Sequence, residues 1–147
     1  SFAVGINEPL FCSLSVHDLR SKSRLSEYFH FTHNLSAPLP TCLFSLPSKT
    51  GLEHLALILR VSRVFRPDFD KELAFYQKPK TIKKPQAEKI EQEARACLEQ
   101  PDLIIQPFLW ASVPFSLLDV VSTDIDTDDI RVFKSPYSDE SIYEQIA

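Results

Sequence analysis

The chain has 147 residues and a mass of 16.8 kDa, with 44% apolar and 24% charged residues. That is one ordinary domain with enough apolar side chains for a core, which excludes a wholly disordered chain. A formal charge of −4 argues against a nucleic-acid binder, and two glycines alone, Gly5 and Gly51, exclude a glycine-rich phosphate loop.

Cys12, Cys42 and Cys97 are odd in number and far apart, which fits neither a disulfide framework nor a zinc knuckle and suits a reducing, cytoplasmic setting. No run approaches the ~20 apolar residues of a membrane span, and no signal-peptide pattern is visible. The absence of methionine and the opening Ser-Phe-Ala-Val predict a piece of something larger, and 11 prolines disfavour long helices.

From Leu10 the chain alternates: Leu10, Cys12, Leu14 and Val16 share one side, Ser13, Ser15 and His17 the other. This predicts a strand with one buried face. Residues 18–23 read as a turn. Residues 24–31 alternate again, with Leu25, Phe29 and Phe31 in phase, as an antiparallel neighbour. Residues 32–40 read as a loop and residues 41–46 as a third strand, with Cys42, Phe44 and Leu46 aligned. Residues 47–51 turn the chain. Residues 52–64 are apolar on both faces, which suits a central strand covered on both sides or a buried helix; the neighbouring strands and a period of two that persists to Arg63 favour the strand.

Residues 66–85 read as irregular and basic. Ala87, Ile90, Ala94, Cys97 and Leu98 then make an apolar helical stripe, begun by Pro85 and stopped by Pro101. Residues 103–105 and 108–118 are strand-like, with Pro107 and Pro114 confining them to edges or bulges. Beyond Asp119 the chain is acidic and polar, with a short helix over residues 138–145. The expected fold is mainly β: an antiparallel β-sandwich over residues 1–118 with a helix inserted at about residues 85–100. Residues 119–147 form an acidic linker or short helix toward a next domain.

Chemistry-bearing patterns are few. The three cysteines lie on apolar faces and read as buried, inert thiols. His17, His30, His33 and His54 show no metal-ligand spacing. Asp124, Asp126 and Asp128 match the start of a calcium loop, but Asp129 replaces its glycine and Ser135 its closing glutamate, so a solvated acidic stretch is the better reading. No Gly-x-Ser-x-Gly elbow marks a hydrolase. Lys78, Lys80, Lys83 and Lys84 form a basic loop that could meet an acidic partner or an anionic membrane, or simply stay in water. No cofactor is expected.

The run Glu8-Pro-Leu-Phe-Cys-Ser-Leu-Ser-Val-His-Asp-Leu19, followed by Arg24-Leu-Ser-Glu-Tyr-Phe-His-Phe31, resembles the segment just before the lipid-binding homology region of DOCK proteins. These are the dedicator-of-cytokinesis exchange factors for Rho-family GTPases. Cys42-Leu-Phe-Ser45, the aliphatic residues 55–64, the lysine-rich stretch with its helix to Leu98, Gln106-Pro-Phe-Leu-Trp-Ala111 and residues 133–146 resemble later parts of that segment in the same order. His17 stands where tyrosine is usual. The resemblance covers nearly the whole chain and implies a C2-like β-sandwich in the amino-terminal half of an exchange factor, without the exchange-catalysing region.

The expected function is thus a non-catalytic scaffold or interaction domain in the cytoplasm. Its partners would be other domains of its parent chain, a regulatory protein or a Rho-family GTPase, and not nucleic acid. The alternative is a peripheral module recruited to phosphoinositide or anionic membrane by Lys78, Lys80, Lys83 and Lys84. A third reading, an autonomous hydrolase, would require a reactive thiol or serine.

Overall fold

The computed structural model describes residues 8–33, 38, 40–47, 51–65, 84–115, 131–134 and 139–146. Their strands are β1 (Leu10–Asp18), β2 (Ser23–Arg24), β3 (Phe29–His33), β4 (Leu55–Val64), β5 (Ile105–Pro114) and β6 (Arg131–Lys134). Two helices accompany them, α1 (Lys84–Leu98) and α2 (Asp139–Ile146). The fold is mainly antiparallel sheet, in the order β2–β1–β4–β5–β6, with β3 on the same side of β1 as β2. Among the described residues no helix is long and apolar enough to cross a membrane.

The long apolar run became the middle of the sheet because it is apolar on both faces. β4 is hydrogen-bonded to β1 on one side and to β5 on the other, and its strand begins at Leu55, after a single 3-10 turn over Leu52–His54. Directly opposed residues share a face. Cys12 faces Val61, which faces Leu109, while Ser15 faces Ile58 and Arg60 faces Trp110.

On the first face Leu10, Cys12, Val61, Phe108 and Leu109 are buried together, with Phe31 and Leu59 packed against them. On the second face Ala56, Ile58 and Trp110 are sealed by Ile142 of α2, with Leu19 and Ile146 at the margin. The second face is therefore apolar as well, and β1 has no solvent side near its C-terminal end: Ser15 and His17 are both fully buried. The alternation placed them correctly on one face but not in water, because the helix that covers that face lies over 120 residues away in sequence.

The pairing of residues 24–31 with β1 is present but interrupted. Ser26 Oγ accepts the Val16 N–H at 2.8 Å, and Leu25 N–H reaches Val16 O at 2.8 Å. A hydroxyl thus takes a ladder position, residues 25–28 leave the strand, and β2 and β3 form on either side. The tight link before β2 is held by Asp18, whose carboxylate accepts from Arg20 N at 2.9 Å and from Ser21 Oγ at 2.8 Å. Lys22 completes the reversal at φ 51°.

Residues 41–46 are not a strand. Cys42, Phe44 and Leu46 do alternate with more exposed neighbours, but the segment has no ladder partner among the described residues. Alternation reports extension and one-sided burial; pairing needs a second backbone. The two strand-like stretches expected at residues 103–105 and 108–118 meet in one strand, β5, which takes in Ile105 but not Leu103 or Ile104. Its register with β4 shifts after Val61, so that Ser62 faces Pro107 and Phe108 is the extra residue of a bulge. Pro107 sits opposite Ser62 beside the bulge, beyond the described pairing of β5 with β6, and Pro114 ends the strand.

The inserted helix is present as α1. It lies against β4 and buries Ala87, Ile90 and Ala94. Beyond it, β6 extends the sheet from β5 and α2 packs on the second face, so both elements belong to the same fold.

Candidate functional site

The most concentrated polar chemistry lies beneath α2. β1 sends Ser15 and His17 to the second face, two residues apart and therefore side by side. Ser15 Oγ is 3.0 Å from His17 Nε2. Tyr143 of α2 brings its hydroxyl to 2.6 Å from His17 Nδ1, with the two rings 5.7 Å apart. Next to this trio, the Arg24 guanidinium stacks 4.2 Å above the Tyr28 ring and donates to Ser26 O at 2.6 Å, while Arg60 approaches the same ring at 5.7 Å. Trp110 Nε1 donates to Gln145 Oε1 at 3.2 Å and so gives α2 a second polar attachment.

Burial holds the His17 pKa down to about 4, and the nearby charges of Arg60 and Arg24 push in the same direction. The imidazole is therefore neutral at physiological pH and carries one proton. The phenol, the more acidic hydroxyl, donates to Nδ1, which leaves the Nε2 proton for Ser15 Oγ. Burial also raises the Tyr143 pKa, so the phenol keeps its proton.

A serine beside a neutral histidine held by a third group has the outline of a nucleophile–base pair. Here it has no access: Ser15, His17 and Tyr143 are all buried, and α2 closes the face above them. The arrangement can hold α2 in register.

The other chemistry-bearing residues do not gather. Lys84 opens α1 with its side chain in solvent, 3.9 Å from Glu88 one turn on. Lys78, Lys80 and Lys83 lie outside the described residues, as do Asp124, Asp126, Asp128 and Asp129. Cys12 is buried on the first face and its thiol is pushed up to about 11 by desolvation, whereas Cys42 and Cys97 are only half-buried. Among the described residues no three His, Cys, Asp or Glu side chains are placed to hold a metal ion.

One surface feature stands apart. Where β4 ends and β5 begins, Phe65 is 52% exposed, Leu103 41%, Ile104 61% and Ile105 44%. They are neighbours in space: Phe65 N–H donates to Ile104 O at 2.8 Å, and Ile105 faces Val64 across the ladder. Four large apolar side chains are therefore exposed at this end of the sheet.

Sequence reasoning missed both features. Tyr143 sits in a polar stretch, and nothing local ties it to His17. Of the apolar residues 103–105 only Ile105 is in a strand, and their exposure was not legible, since it depends on what fails to cover them.

No family model matches the chain, and no curated protein or solved structure is significantly similar to it.

Proposed function

We propose that this chain is a non-catalytic interaction domain, a C2-like sandwich from the amino-terminal half of a DOCK-type exchange factor for Rho-family GTPases. It docks in the cytoplasm against other parts of its parent chain or a regulatory protein. The motif order from Glu8 to Ile146 supports the family. The observation that carries the interaction role is the apolar end formed by Phe65, Leu103, Ile104 and Ile105. Large apolar side chains gathered in water at one end of a sheet are costly and mark surfaces that meet a partner. The concentrated polar groups, by contrast, are spent on holding α2.

The test is a calorimetric titration of the domain with the purified remainder of its parent chain, beside a nucleotide-release assay on Rho-family GTPases. The expected result is saturable binding that Ile104→Asp removes without changing the thermal midpoint, and no acceleration of GDP release. Absent binding, binding indifferent to Ile104→Asp, or accelerated release by the domain alone would each contradict the proposal.

A further inference from the structure

Three described residues of α2 meet the sheet at Ala56, Ile58, Trp110 and His17. Ile142 is fully buried against Ala56, Ile58 and Trp110, Gln145 accepts from Trp110, and the Tyr143 hydroxyl meets His17 Nδ1 at 2.6 Å. An eight-residue helix is marginal on its own. α2 is therefore helical because the sheet holds it, and when it lifts it does so as extended chain.

In that state the sequence Asp139-Glu-Ser-Ile-Tyr143-Glu-Gln-Ile146 offers a tyrosine set among Asp139, Glu140 and Glu144. A phenol in an extended, acidic segment suits an enzyme whose peptide groove is cationic. We propose that Tyr143 is a tyrosine-kinase site and that its phosphorylation keeps α2 off the sheet. The phosphoryl donor is ATP. A bond forms between Tyr143 Oη and the γ-phosphorus, the β–γ anhydride bond breaks, ADP leaves, and the phenolic proton passes to the kinase's base.

The product cannot return to the docked position. It carries about −1.5 to −2 charge and three additional oxygens. The docked geometry leaves 2.6 Å between the phenol and the imidazole, above a fully buried serine. The ionisable groups that act on Tyr143 are Arg60 on β4, Arg24 on β2, Asp18 on β1 and Tyr28 between β2 and β3, with the neutral His17 in contact. The two arginines attract a phosphate, but they do not create the volume it needs between Tyr143 and His17. Release uncovers Ala56, Ile58 and Trp110, a second apolar surface hidden in the unmodified chain.

Trp110 reports the event, because it is the sole tryptophan and is fully buried under α2. Phosphotyrosine is introduced at position 143 during synthesis, which removes any dependence on kinase access. The expected result is a red-shifted emission, acrylamide quenching several-fold stronger, and an unchanged β-sheet circular-dichroism signal. Buried emission with α2 still down, its phosphate paired to Arg24 and Arg60, would overturn the proposal, as would loss of the whole sheet.

A second arm exposes the unmodified chain to a purified soluble tyrosine-kinase catalytic domain and ATP, with sites mapped by mass spectrometry. Labelling at Tyr143 should rise about tenfold in Ile142→Ala, which loosens α2. Labelling confined to Tyr28, Tyr76 or Tyr137 in both proteins would contradict the proposed site.

Discussion

The Tyr143 hydroxyl lies 2.6 Å from Nδ1 of His17, across 126 residues of sequence. This contact joins the last described helix to the first strand and fixes the chemistry of both groups. An imidazole that accepts from a phenol in a sealed, cation-flanked site is stable as the neutral ring only.

Acidification should therefore weaken the fold. His17 has a pKa of about 4 in the folded chain against 6.5 for an ordinary histidine. The unfolded chain binds the proton more readily, so the stabilisation is complete above pH 6.5, is lost as the pH falls toward 4, and is absent below that. The full effect is about 3 kcal/mol. Asp18, held below the usual carboxylate range first by its hydrogen bond from Ser21, loses stabilisation in the same direction at lower pH. Urea midpoints followed by Trp110 fluorescence between pH 7 and pH 4.5 should fall steeply in the parent and less steeply in His17→Phe. Equal slopes in the two proteins would show that His17 is not the group responsible.

The hydroxyl of Tyr143 should carry a measurable part of α2 docking. Tyr143→Phe leaves the packing in place and strands a buried ring nitrogen, at a cost of about 1–2 kcal/mol. Urea denaturation at pH 7 measures it. A variant as stable as the parent would mean that the phenol and imidazole do not meet in solution.

Much of this architecture was legible in the chain, and the failures are physical. β1 was readable from its period-two alternation, and β4 from a long apolar run, covered on both faces, among neighbouring strands. The stripe of Ala87, Ile90 and Ala94 marked α1 by its helical spacing. Residues 41–46 carried the same alternation and formed no ladder, because sequence records which side is buried and not whether a partner strand lies alongside. Ser26 broke the neighbour of β1 through one hydroxyl that no periodicity encodes. The His17 site was illegible because its burial is supplied by α2, whose polar, acidic composition resembles a solvated tail. The apolar end at Phe65 and Ile104 was illegible as a surface because exposure belongs to the folded shape.

Position on the sheet should separate two apolar truncations sharply. Ile58 is fully buried between β4 and α2, so Ile58→Ala should cost about 2–4 kcal/mol. Leu43 is almost fully exposed, so Leu43→Ala should stay within about 0.5 kcal/mol of the parent. Thermal unfolding of the two variants side by side checks both. A comparable loss in each would place residues 41–46 inside a core.

Thiol reactivity gives an independent reading of the first face. Cys12 is buried beside Leu10 and Val61, and its thiol is pushed up to about 11. Cys42 and Cys97 are half-buried. Brief alkylation of the native chain at pH 8, mapped by mass spectrometry, should modify Cys42 and Cys97 well before Cys12. Early modification of Cys12 would open the face that the cluster closes.

The claim on which the rest depends is that the polar residues of the second face are enclosed by α2. Proton–proton Overhauser contacts in solution test it most directly. The account expects cross-peaks between the Tyr143 and His17 rings and between the Ile142 methyls and the Trp110 indole, in a chain whose β1–β4 and β4–β5 ladders are intact. Intact ladders with neither set of cross-peaks would contradict it, leaving His17 open to solvent and α2 undocked.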